Sequence, residues 1–154
     1  MVGAFRQPDN GLAGWIAKLK EADMPVTMTK YLRTVLYGDT LFSAVGALLM
    51  GAGAPFLSPL LDLPSTLLVG AGLVLVPWVL GLGVVVRRRH VPRIVLVDIV
   101  AINFLWCAAC LGLLASGAIA PDGLGIAFVV AQALVVALFG VLQFLGLREA
   151  VAAV

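Results

Sequence analysis

The sequence predicts an all-α polytopic membrane protein: a four-transmembrane-helix bundle with an N-terminal interfacial amphipathic helix. Three observations carry that prediction. Of 154 residues, 62% are hydrophobic and 12% are charged, against roughly 45–50% and about 25% in a soluble domain. A mean hydropathy of +1.13 leaves too little polar surface to cover a water-facing sphere. The few charges are gathered in clusters between long uncharged runs, which is a membrane pattern rather than a globular one.

The first thirty residues mix Arg6, Asp9, Lys18, Lys20, Glu21, Asp23 and Lys30. They hold no unbroken apolar run, so no cleavable signal peptide is expected. Asn10 can cap a short helix in which Leu12, Trp15, Ile16 and Leu19 recur at i, i+3, i+4 and i+7, with Lys18, Lys20 and Glu21 on the other side. That is the pattern of a helix lying in the membrane interface, apolar face down. Met24 and Met28 offer later starts, which would make the upstream residues an extension. The chain therefore divides into an N-terminal cytoplasmic or interfacial segment, 1–28, and a four-helix transmembrane domain, 29–154.

Four stretches can cross a hydrocarbon core of ~30 Å, which needs about 20 helical residues. They are 34–53, 67–86, 94–114 and 123–147. Pro55, Pro59 and Pro64 separate the first two, the run from Arg87 to Arg93 the next two, and Ser116-Gly117 with Pro121-Asp122-Gly123 the last two. All ten Lys and Arg residues lie before or at the start of the first span, in the middle loop, or at Arg148; the other two loops carry only Asp62 and Asp122. By the positive-inside rule both termini face the cytoplasm, as for a multi-pass protein of a bacterial inner membrane. A faint repeat accompanies this topology. Arg33 to Asp39 opens the first span and Arg93 to Asp98 the third, as two parallel hairpins would.

Polar groups inside the bilayer must be paired or wet, so they are where function is sought. At 1.5 Å per residue, Asp39, Asp98 and Gln143 are expected roughly 6–8 Å in from the cytoplasmic edge. Asn103, Gln132 and the Leu73 carbonyl freed by Pro77 form a second level near the midplane. Gln132 and Gln143 share a stripe with Phe128, Val136 and Phe139, expected to face the bundle interior. Asp39 and Asp98 admit two readings. They are counter-ions of Arg33 and Arg93, whose stems snorkel to the interface, or they are members of a proton or cation relay.

Arg87, Arg88, Arg89 and Arg93 form a topology anchor and a candidate site for anionic lipid head groups. Cys107-Ala-Ala-Cys110 has the spacing of a redox pair, and in that spacing and the span count the chain resembles quinone-coupled thiol oxidases and vitamin K epoxide reductase. Those families place the reactive pair near a helix N-terminus and use a second pair; here the two cysteines are mid-helix and are the whole complement, so packing is the plainer reading. With His90 as the lone histidine, no bis-histidine haem, histidine-rich metal site or Ser-His-Asp set can be assembled. No phosphate-binding glycine loop is present, no cofactor is expected, and nothing points to nucleic acid. Small residues at Ala47/Gly51, Ala127/Ala131, Ala133/Ala137, Gly70/Gly72 and Gly81/Gly83 allow close helix approach.

From Ala101-Ile-Asn-Phe-Leu-Trp106, and more from the run Gly125 to Phe139 and Gln143 to Arg148, the chain resembles a group of small, uncharacterised bacterial four-helix integral membrane proteins over roughly residues 29–148. The resemblance implies the fold and brings no site residues with it. The first functional expectation is a non-catalytic accessory or scaffold subunit of a larger membrane assembly, with other membrane subunits or further copies as partners. The second is a small homo-oligomeric transporter or channel using Asp39 and Asp98. A quinone-linked thiol redox protein through Cys107 and Cys110 is the third.

Overall fold

The computed structural model describes residues 24–152 together with Gly11, Gly14 and Ile16. The expected interfacial helix at 12–19 falls mostly outside the described residues. The elements run β1 (Pro25–Thr27), α1 (Lys30–Gly51), α2 (Ala54–Leu61), α3 (Ser65–Arg87), β2 (His90–Pro92), α4 (Arg93–Ala115) and α5 (Gly123–Ala152). The helices α1, α3, α4 and α5 are each long and apolar enough to cross a membrane, and the chain is a multi-pass, all-α membrane protein.

Local chemistry sets the ends. Thr29 caps α1, its side chain accepting from the Leu32 N–H at 3.1 Å. The helix therefore starts four residues before the apolar run does. The segment around Pro55 and Pro59 was expected to be loop, yet it forms α2. Pro55 sits in the first turn, where its missing N–H removes no helical bond. Asp62 ends α2 in the left-handed region (φ 49°), which Asp tolerates better than most side chains. Asp122 opens α5 by accepting from the Gly125 N–H at 2.7 Å. Pro77 lies inside α3 without ending it.

A two-stranded antiparallel ladder ties the segment before α1 to the segment before α4, pairing Val26 with Val91. Both valines are buried. With Met28, Leu32, Leu36, Leu82, Val86 and Leu96 they belong to an apolar core at the arginine-bearing end of the bundle. Val26 and Met28 thus pack with the bundle although they precede residue 29. A second core, with Met50, Ala54, Leu61, Leu68 and Leu75, fills the opposite end.

The spans form two hairpins, α1 with α3 and α4 with α5, joined through α1 against α5. The crossing of α1 and α3 is close: a Cβ on Gly72 would fall 2.7 Å from the Gly51 nitrogen and 3.0 Å from the Ala47 carbonyl oxygen. The Ala47/Gly51 small-residue pair is therefore a packing surface, as its spacing suggests. Each hairpin begins with a strand followed by a helix, the order a parallel repeat requires. Such a repeat would also pack α3 against α4 as α1 packs against α5, and α3 and α4 barely meet. The bundle is open along that seam.

Candidate functional site

Asp39 on α1 is fully buried (0% exposed), and so, nearly, are Asn103 on α4 (2%) and Gln143 on α5 (1%). The three side chains meet. Asp39 Oδ2 accepts from Asn103 Nδ2 at 2.9 Å and from Gln143 Nε2 at 2.7 Å. Asn103 Nδ2 also donates to Gln143 Oε1 at 2.9 Å, and Ser43, one turn beyond Asp39, donates to Asp39 Oδ1 at 3.1 Å. Counted from the helix ends at Lys30, Arg93 and Ala152, all three lie about 14 Å along their helices. Among the described residues every partner of the carboxylate is neutral.

This arrangement corrects the sequence expectation at three points. Asp39 is not the counter-ion of Arg33, whose guanidinium instead donates to the Arg88 carbonyl at 3.2 Å. Asn103 belongs to the level of Asp39 and Gln143, not to a second level with Gln132. The hydropathy edge set the depth of α1 too far along the chain, so Asp39 looked shallower than it is. Asp98 is no member of the buried layer. It is exposed on α4, whose buried face carries Leu96, Ile99, Val100 and Asn103. The repeat explains the error. Arg33 and Arg93 are sixty residues apart, and on that offset the buried Leu36, Asp39 and Ser43 superpose on the buried Leu96, Ile99 and Asn103. Asp98 falls opposite Gly38. One residue turns a helix by about 100°, which carries the second carboxylate to the outward face.

Behind Asn103 lies a cavity of about 590 Å³ lined by all four spans, a size usual for small-molecule sites. Phe42, Trp78, Trp106 and Phe128 give it aromatic walls, and Asn103 and Gln132 are its polar side chains. Asn103 spends its Nδ2 on Asp39 and Gln143, and its Oδ1 takes no hydrogen bond among the described residues. Trp106 Nε1 is buried with no acceptor among the described residues. Among the wall residues, Val45 and Leu49 on α1, Val74 on α3 and Ile102 on α4 are exposed; because α3 and α4 barely meet, the cavity opens along their seam.

Compared with known proteins, the chain matches no family model, no curated protein and no solved structure. The site must be read from its own chemistry. Gln132 and Trp106 also wall a smaller cavity of about 160 Å³ that Cys110 reaches. Cys107 and Cys110 are free thiols, both half-buried. Arg87, Arg88 and Arg89 are exposed at the end of α3, and Arg93 is half-buried at the start of α4. Ser43, Phe42 and Trp78 escaped the sequence reading, whereas Phe128 lines the cavity beside Gln132, on the stripe expected to face the interior. The i, i+4 spacing of Asp39 and Ser43 was a usable signal, because it places a hydroxyl directly beside the carboxylate.

Proposed function

We propose that this chain is a small transporter of a bacterial cytoplasmic membrane, carrying its substrate through the bundle cavity with Asp39 as the charge to which that substrate responds. One observation carries the reading: a fully buried carboxylate has only neutral partners among the described residues and stands one hydrogen bond behind the wall of a cavity. A buried charge is costly unless it is met. Three neutral donors meet part of that cost, and a cation that enters the site would meet the rest. One copy of the chain supplies all four walls, so the site needs no second subunit. With ten basic residues on one side and none in the other two loops, Arg87, Arg88, Arg89 and Arg93 face the cytoplasm, within reach of anionic head groups. Reporter fusions after Arg148 should therefore read cytoplasmic, and fusions near Asp62 and Asp122 external.

A second reading, an accessory subunit of a larger assembly, is favoured by Asp98. Five residues into α4 it presents a carboxylate on the lipid side, where another protein surface would cover it. Uptake into proteoliposomes separates the two. Labelled amphipathic cations, neutral compounds and anions are offered in turn, beside protein-free vesicles. The transporter moves one class faster than lipid alone, and Asp39→Asn removes that flux. If no class moves and native mass spectrometry finds a stoichiometric foreign subunit, the chain is an accessory protein instead.

A further inference from the structure

The charge behind the cavity wall points to the class of molecule the cavity takes. Among the described residues Asp39 has no cationic partner: its oxygens are held by Ser43, Asn103 and Gln143. The asparagine is polarised by that contact. Both bonds from its Nδ2 point away from the cavity, toward Asp39 and Gln143, and its unbonded Oδ1 is the end left for a ligand at the wall. A carbonyl dipole whose amide end is bonded to a carboxylate projects negative potential forward, and hydrogen bonds in series strengthen one another. The aromatic residues of the wall agree. Phe42, Trp78, Trp106 and Phe128 line the cavity, and aromatic faces attract a cation most when it is desolvated. Apart from Gln132 the remaining wall is aliphatic, and the mouth at Val74 and Ile102 opens among apolar side chains rather than at a charged loop. A hydrated inorganic ion finds no ring of oxygens there to replace its water.

We propose that the bundle cavity binds a lipophilic monocation, an organic cation whose charge is surrounded by apolar groups. This rests on the reading that the cavity holds a small molecule, and it adds the sign of that molecule's charge. The ligand enters sideways from the bilayer through the α3–α4 seam. Its apolar groups fill the space between the aromatic walls and its charge settles against Asn103, with Asp39 behind.

The test uses probes matched in size and apolarity and differing in charge: tetraphenylphosphonium, tetraphenylborate and neutral triphenylphosphine oxide. Binding to the full chain in phosphatidylcholine nanodiscs is measured by equilibrium dialysis, with empty nanodiscs as the blank. Tetraphenylphosphonium should bind saturably, one per chain, and the other two should not. Asp39→Asn, which keeps the shape of the side chain and removes its charge, should weaken the cation by about tenfold or more. A second variant guards against a misfolded Asp39→Asn. Ile102→Lys puts a positive charge at the mouth without touching the polar cluster, and should weaken the cation where Ile102→Met does not. Equal binding of the borate or the phosphine oxide, or cation binding unchanged by both Asp39→Asn and Ile102→Lys, overturns the cation assignment and leaves the cavity as a site of other specificity. If none of the three probes binds saturably, the small-molecule reading of the cavity falls with it.

Discussion

Asp39→Leu should destabilise the bundle by about 2–3 kcal/mol, while Asp39→Asn should cost no more than about 1 kcal/mol. The difference lies in what each change leaves behind. Leucine strands the donors of Asn103, Gln143 and Ser43, which now converge on Asp39, in a core that holds nothing to replace it. Asparagine keeps one oxygen for the two amides and turns its own N–H groups toward Ser43, whose hydroxyl accepts as readily as it donates. Thermal unfolding in mild detergent reads both values. Equal and small losses would mean that the cluster is not a mutually bonded unit.

Gly72→Ala should be the most damaging single-methyl change at a contact between two spans. A Cβ there meets the backbone of Gly51 at 2.7 and 2.9 Å and the Ala47 carbonyl at 3.0 Å. Backbone atoms cannot rotate aside as a side chain does, so α1 and α3 must separate along their whole crossing. Overpacking in proteins costs about 1–3 kcal/mol, and a backbone clash belongs at the upper end or leaves no folded protein. The controls are Gly70→Ala and Gly81→Ala on the same helix, where a Cβ meets nothing within 4 Å. Folded yield and unfolding temperature should fall for the first variant and stay level for the other two. If all three behave alike, the helix crossing is not as described.

The four spans were legible because about twenty apolar residues in a row, broken by prolines and arginines, have few other fates. Their ends were less so. Hydropathy registers where apolar side chains begin, whereas α1 begins where Thr29 supplies a cap, with Tyr31 and Arg33 already helical. That difference of four residues separated Asp39 from Asn103 on paper, although their side chains bond. The strands β1 and β2 have three residues each and pair across more than sixty residues of chain, too short and too distant for any periodic signal. The prolines of α2 marked a break correctly but hid a helix of eight residues that follows it. Asp98 shows a harder limit. A lone acidic residue in a uniformly apolar helix says nothing about the face it occupies, and a match to Asp39 that slips by one position reverses the answer.

The polar cluster itself is tested most directly by distance measurement in lipid. The chain is prepared with ¹³C at the Asp39 carboxyl carbon and ¹⁵N in the side chains of Asn103, Gln143 and Arg33, and dipolar recoupling is recorded in bilayers by solid-state nuclear magnetic resonance. The hydrogen bonds of 2.9 Å from Asn103 and 2.7 Å from Gln143 to the carboxylate require strong coupling of that carbon to both amide nitrogens, and none to the guanidinium of Arg33. Coupling to Arg33 in place of the amides would show a carboxylate already neutralised by the protein, leaving no charge for a substrate to answer.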